Sequence, residues 1–205
     1  MSKYFFKKKV DAVILSGGLG TRIKSFSKGV PKGLIKINKK NILTYILNEV
    51  KKYNFNKIYL MTGYKSKLFK KFNKINCYFI PTLSLEEKKL MGTGGALSNL
   101  RNKNINNFIL INGDTLLTIN YLKLIKKNKE KIGSMSLVKN NNYKSNKKLA
   151  NLSITKNLVK FDEKENLMNG GVYFFKKKIL NYIPQKKFSL ENDLLENLIN
   201  KKKIN

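Results

Sequence analysis

The sequence predicts an α/β fold built on a mainly parallel sheet covered on both faces. Short apolar runs alternate with helix-period stretches through the first two-thirds of the chain. Two of those runs, residues 10–16 and 107–112, are apolar on successive positions, as strands buried between two helical layers must be. Both end in unusual loops, SGGLG and GD, and such strand-end loops in parallel sheets sit at the ligand-binding edge.

The elements follow in order. Residues 10–16 read as a buried strand. In NILTYILNEVKKY, residues 41–53, Ile42, Ile46, Leu47 and Val50 share one helical face, which Leu43 and Tyr45 broaden. KIYLMT at 57–62 is a second strand, 65–72 a short helix and 77–80 a third strand. A helix starts near Gly94 and runs to 100. NFILIN at 107–112 is a strand ending in Gly113-Asp114, followed by a helix at 119–127 and a strand at 133–138. Asn140-Asn141-Asn142 reads as a surface hairpin loop. Beyond it the pattern becomes strand-rich, at 149–154, 158–161 and 171–175. A final amphipathic helix spans 189–200, with Ser189 as N-cap and Glu191 in the first turn.

Composition narrows the chemistry. At 205 residues and 41% hydrophobic, the chain can build a sizeable core. It lacks an apolar run of membrane-spanning length and a signal-peptide core, so cytoplasm is expected. Cys77 is the only cysteine, which excludes an intrachain disulfide. With no histidine, His-based triads and zinc sites with His ligands are excluded, and any metal needs oxygen ligands. The net charge of +31 comes from lysines scattered along the whole chain, with arginine only at 22 and 101. Such scatter is a solvated surface rather than a nucleic-acid footprint, though it attracts polyanionic small molecules.

The loop after the first strand reads SGGLGTR, and Pro31-Lys32 follows nine residues after Arg22. A glycine-rich turn there lets backbone N–H groups approach a phosphate. Neither common version fits: the P-loop lysine is missing, and Ile23 stands where the dinucleotide fingerprint needs its third glycine. A purely structural turn remains the alternative at this point. Asp114, at the end of an apolar strand, is either a metal-binding carboxylate or a helix cap or turn former. Gly94 and Gly95 either line a ligand or allow close packing at a helix start.

LSGGLGTR followed by VPKGL resembles the signature of the sugar-phosphate nucleotidyltransferases, which join a nucleoside triphosphate to a sugar 1-phosphate. The match holds at Leu15, Gly17, Gly18, Gly20, Thr21, Arg22, Pro31 and Lys32. MGTGGA at 91–96, NGD at 112–114, FDEK at 161–164, NGGVY at 169–173 and FSLEND at 188–193 are similar to further family segments, with Gly170 replacing the usual alanine. The likeness is greatest to the short bacterial heptose and mannose 1-phosphate guanylyltransferases. It implies a Rossmann-like three-layer sandwich of the nucleotide-diphospho-sugar transferase type, with a small strand-rich sugar-binding portion. Residues 1–9 would then be a basic tail and 10–205 one domain, about 10–138 nucleotide-binding and about 139–205 sugar-binding.

The resemblance also implies roles. Leu15, Gly17, Gly18, Gly20, Thr21, Gly94 and Gly95 would hold the nucleotide. Arg22, Lys32 and Asp114 would be catalytic, with Asp114 binding Mg2+. Glu163, Lys164, Asn169 and Glu191 would meet the sugar phosphate. GTP is the favoured triphosphate and a sugar 1-phosphate the acceptor; uridylyl or thymidylyl transfer, and a silent nucleotide-binding relative, stay open. No nucleic acid or membrane partner is expected, and an oligomer is left open. The family pattern continues into F-x-D-I-G-T-P, whose aspartate is a second metal ligand. This sequence carries no D-I-G, and Asp193, inside FSLEND, does not take that role.

Overall fold

VDAVIL is apolar apart from Asp11, and the sheet buries it on both sides: Ala12, Val13 and Ile14 are inaccessible to solvent. A computed structural model describes residues 2–18, 29–73, 80–86, 91–128, 130–139 and 148–205. In chain order the strands are β1 Val10–Leu15, β2 Lys36–Ile37, β3 Lys40–Asn41, β4 Ile58–Thr62, β5 Thr82–Glu86, β6 Asn107–Asn112, β7 Gly133–Lys139, β8 Leu152–Thr155, β9 Leu158–Phe161 and β10 Leu167–Phe175. The α-helices are α1 Ile42–Val50, α2 Lys70–Asn73, α3 Gly92–Gly95, α4 Tyr121–Lys127 and α5 Glu196–Asn200.

The main sheet runs β5-β4-β1-β6-β10-β8-β9, with β7 also on β10; β2 and β3 form a separate ribbon. Strands β5, β4, β1 and β6 are parallel, and β10 enters antiparallel beside β6. Alternation along the strands sorts the core into two layers. Val13, Tyr59, Leu110 and Phe175 pack with Leu97, Leu100, Leu194 and Leu198. Ala12, Ile14, Ile58, Leu60 and Ile109 pack with Leu43, Ile46, Leu47 and Val50 of α1. This is the expected three-layer arrangement. Each such side chain contributes roughly 1.5–3 kcal/mol by leaving water.

The starts of the parallel strands are clasped together. Asp11, at 0% exposure, accepts hydrogen bonds from Asn56 Nδ2 at 2.9 Å, Asn106 N at 2.7 Å and Asn106 Nδ2 at 3.1 Å. On one face, Arg101 follows the 3₁₀ turn Ala96–Leu100. Its guanidinium donates to Leu180 O through Nε at 3.2 Å and Nη2 at 3.0 Å, and Nη2 also donates to Ile183 O. The fork thereby caps the 3₁₀ segment Lys177–Tyr182.

Several elements differ from the sequence reading. The strand beside β4 is Thr82–Glu86, after Pro81, while 74–79, with Cys77, lie outside the described residues. As an edge strand, β5 leaves Leu83 43% exposed, so it carries no apolar run to betray it. In α1 it is Leu43, and not Ile42, that is fully buried. The last helix opens as a π-helical stretch, Leu190–Leu195, before α5; Ser189 is its N-cap, as expected, accepting from Asn192 N at 3.1 Å. The Asn140–Asn142 loop lies outside the described residues.

The N-terminal segment is not a loose tail. Tyr4 stacks on Tyr53 at 4.8 Å, and buried Phe6 packs on Tyr53 and Phe55. Alternate aromatic residues face the core there, while Lys7, Lys8 and Lys9 face solvent. At the other end, Ile204 is buried and Asn205 bridges Gly133 O and Met135 N, alongside β7.

Candidate active site

Parallel pairing sets the site. β1 and β6 are adjacent and in register, Leu15 opposite Asn112, so their two C-terminal loops emerge side by side. Gly113 N donates to Leu15 O at 2.8 Å, and a Cβ on Gly113 would lie 2.4 Å from that same oxygen. Only glycine allows this approach. The turn Lys32–Leu34, entered through Pro31, packs against the same junction: a Cβ on Gly33 would lie 2.9 Å from Gly113 O.

Three backbone segments thus converge, and they bring Lys32 to Asp114. Lys32 Nζ lies 2.8 Å from Asp114 Oδ2, with the side chains 26% and 37% exposed. At that exposure the pair adds at most about 1 kcal/mol of stability. Its significance is placement, since the lysine after Pro31 meets the carboxylate after β6 across 82 residues. Asp114 caps no helix: the next one starts at Tyr121 with Asn120 as its cap. Beneath them, Ser16 is 6% exposed, and its hydroxyl has no hydrogen-bond partner among the described residues.

Of the other loop residues, Gly17 O accepts Tyr64 N at 3.3 Å, and among the described residues nothing stands within 4 Å of a Cβ on Gly18. Gly20, Thr21 and Arg22 lie outside the described residues. Leu15 packs against the core.

α3 is held to the segment before α5, backbone against backbone. Gly94 N and Gly95 N both donate to Phe188 O at 3.0 Å, and Phe188 N donates to Met91 O at 2.8 Å. A Cβ on Gly92, Gly94 or Gly95 would come within 2.8 Å of Phe188 or Lys186. The geometry displays the close packing of Gly94 and Gly95, whose N–H groups are both given to Phe188 O. Thr93, between them, donates to Glu191 Oε2 at 2.8 Å and accepts Leu190 N at 3.0 Å. Asp193 Oδ2 accepts Ser189 N at 2.6 Å, a capping duty. A cleft of about 440 Å³ opens here, lined by Gly92, Thr93, Lys187, Phe188, Ser189 and Asp193.

On β10 the ladder to β7 breaks between Asn169 and Tyr173. Asn169 Nδ2 donates to Tyr173 Oη at 2.7 Å, and Asn169 Oδ1 accepts Gly171 N at 3.0 Å, where Gly171 has φ +74°. Gly170 replaces alanine for a local reason. A Cβ there would lie 2.6 Å from Ser136 Oγ, which is itself fixed by Val172 N. Tyr173, which is not among the site residues expected from sequence, is fully buried. Burial pushes its hydroxyl pKa up, while hydrogen bonds to Asn169 and Asn112 pull the other way and the charges of Glu191 and Asp114 push it up. It therefore links the strand end before Asp114 with Asn169. The available signal was a polar tip inside an apolar strand run.

Glu163 and Lys164 are exposed in the turn between β9 and β10, which Asp162 Oδ1 organises by accepting Lys164 N at 3.1 Å. Their side chains make no hydrogen bond or ion pair among the described residues. No cluster of three or more Asp, Glu, Cys or His occurs among the described residues either. No helix of the described residues is long and apolar enough to cross a membrane.

A parallel sheet that opens a glycine loop onto a lysine–aspartate pair, beside a second cleft, defines an α/β protein built to receive phosphorylated ligands. Comparison with known proteins makes this specific: the nucleotidyl transferase family model matches residues 11–204, and the chain belongs to that family. It is 35% identical over 193 residues to the D-glycero-α-D-manno-heptose 1-phosphate guanylyltransferase of Campylobacter jejuni, covering 92% of this chain and 86% of that one. It is 30% identical to the enzyme of the same name from Aneurinibacillus thermoaerophilus, covering 95% and 87%. Among solved structures it resembles HddC of Yersinia pseudotuberculosis complexed with GMP-PN, with TM-score 0.71, 30% identity and 91% and 85% coverage. The inositol-1-phosphate CTP transferase of T. maritima, at 19% identity and TM-score 0.77 over 96% and 84%, shares the fold.

Proposed function

We propose that this chain transfers the guanylyl group of GTP to a heptose 1-phosphate, with mannose 1-phosphate as the alternative acceptor, for surface-glycan synthesis in the cytoplasm. The observation that carries the reading is the 2.8 Å Lys32–Asp114 pair at the joined ends of β1 and β6. The relatives that match the chain nearly end to end supply the base and the sugar.

The reaction is an in-line displacement. An oxygen of the sugar 1-phosphate attacks the α-phosphorus, a new P–O bond forms, and the bond to pyrophosphate breaks. Two anions must meet, so the chain's task is positioning and charge compensation. Lys32 supplies positive charge where they meet. Gly17 and Gly18 give the triphosphate a backbone surface without side-chain obstruction. Arg22, after them in sequence, would take the departing pyrophosphate with its forked donors. Asn169 and Glu191 would meet the sugar 1-phosphate, joined by Glu163 and Lys164 when the acceptor binds.

The oxygen-only donors at the junction fit a hard divalent cation such as Mg2+. Asp114 already draws a cation, in Lys32, and the Ser16 hydroxyl beside Gly113 is unpaired among the described residues. Asp114 would hold the ion, which when bound offsets phosphate charge.

The test is pyrophosphate release, crossing the four nucleoside triphosphates with mannose, glucose, N-acetylhexosamine and heptose 1-phosphates. Release with GTP and heptose 1-phosphate is expected. A preference for UTP or TTP would overturn the guanylyl assignment. Triphosphate binding without any release would identify a silent relative.

A further inference from the structure

We propose that Thr93 is a positioning residue for sugar recognition: from the nucleotide half of the site, its hydroxyl aims the carboxylate of Glu191 at the sugar. The inference rests on the assignment of Glu191 to the sugar side.

The hydrogen-bond directions are fixed by chemistry. A backbone N–H only donates, so Thr93 Oγ1 accepts from Leu190 N at 3.0 Å. An ionised carboxylate only accepts, so the single Thr93 proton goes to Glu191 Oε2 at 2.8 Å. Ser189 Oγ adds a weaker contact to the same oxygen at 3.3 Å while accepting Asn192 N. Glu191 Oε2 is thus held by hydroxyls, and Oε1 makes no hydrogen bond among the described residues. One oxygen is anchored and the other is left for a ligand.

The anchor itself cannot drift. The glycines flanking Thr93 lock α3 against 186–190 with no room for a Cβ. The bond that Leu190 N gives Thr93 Oγ1 then holds the hydroxyl in place before any ligand arrives. Thr93 and the flanking residues of Glu191 also border one cleft. Loosening Glu191 would cost sugar affinity without touching the triphosphate.

The experiment is calorimetric binding of heptose 1-phosphate and of GTP to Thr93→Val, Thr93→Ala, Thr93→Ser, Glu191→Gln and the Thr93→Val/Glu191→Gln double variant. Thermal melts check folding. Thr93→Val keeps shape and removes the hydroxyl; Thr93→Ala removes it independently. Each should weaken heptose 1-phosphate by about tenfold, as expected for one charge-assisted hydrogen bond. GTP affinity should stay within about twofold, and Thr93→Ser should restore most of the loss. The double variant should bind no more weakly than Glu191→Gln alone, because coupled residues are not additive. Additive losses, or a Thr93→Val loss falling on GTP, would overturn the positioning role while leaving Glu191 in place. If Glu191→Gln binds heptose 1-phosphate normally, its sugar assignment fails, and the role of Thr93 fails with it.

Discussion

Two aspartates bracket the same pair of strands and live by opposite rules. Asp11, at the start of strand β1, is sealed at 0% exposure and takes three hydrogen bonds from Asn56 and Asn106. Asp114, just beyond β6, is about a third exposed and has one mobile cation for company. The first fastens the beginnings of β1, β4 and β6, where no ligand is awaited. The second stands at their far ends with acceptor capacity to spare. A carboxyl whose every neighbour is a fixed neutral donor is structural; one facing a long, exposed lysine can exchange its partner.

The contrast can be broken experimentally, first at its strongest point. Asp114→Asn should lower turnover by about 10²- to 10³-fold, and Lys32→Ala by about 10²-fold, as for lost transition-state charge stabilisation. Their urea midpoints should barely move, because an exposed pair holds at most about 1 kcal/mol. Steady-state kinetics beside denaturation curves decide it, and near-normal turnover in either variant removes that residue from the chemistry. Asp11→Ala should do the reverse. Stranding the Asn56 and Asn106 donors in the interior should cost about 3 kcal/mol. Activity per folded molecule should survive, so a kinetic defect without lost stability would contradict its clasp role.

Gly170→Ala should cost about 1–2 kcal/mol by overpacking, and should cost less when introduced into Ser136→Ala than into the unaltered chain, with Ser136→Ala alone as the reference because it strands Val172 N. An equal cost in both would mean the 2.6 Å approach to Ser136 is not what excludes the methyl group.

The smallest expected effect is alkaline. Burial holds the Tyr121 and Tyr173 hydroxyls above the ordinary tyrosine pKa of 10.0. In the unfolded chain these groups ionise near that value, so the unfolded state loses protons first. Their contribution is whole below pH 10 and fades as pH climbs past it. Tyr173→Phe should flatten the fall in Tm between about pH 10 and 11; an unchanged slope would assign the fall elsewhere.

The same contrast explains what could be read in advance. Asp114, Lys32 and the glycine loop stand in short strings whose chemistry follows from one strand end, and parallel pairing of β1 with β6 joins them without further information. The Thr93–Glu191 and Asn112–Tyr173–Asn169 contacts join residues from separate elements through side chains. No local period announces them. Edge position hid β5, since only one side of that strand is paired. Nor does any local signal announce that Gly94 and Gly95 give their N–H groups at 3.0 Å to Phe188, a partner 93 and more residues away.

Arg101 carries a consequence for how this composition should be interpreted. Only two of forty-three basic residues are arginine. Arg101 grips the Leu180 and Ile183 carbonyls with a planar fork that an ammonium group cannot imitate. In a chain that elsewhere uses lysine wherever positive charge suffices, a surviving guanidinium marks a place where shape is indispensable. The lysine bias thus acts as a built-in filter. By the same filter we propose that Arg22, which follows the glycine loop in sequence, is the other position where a fork, and not merely a charge, is required.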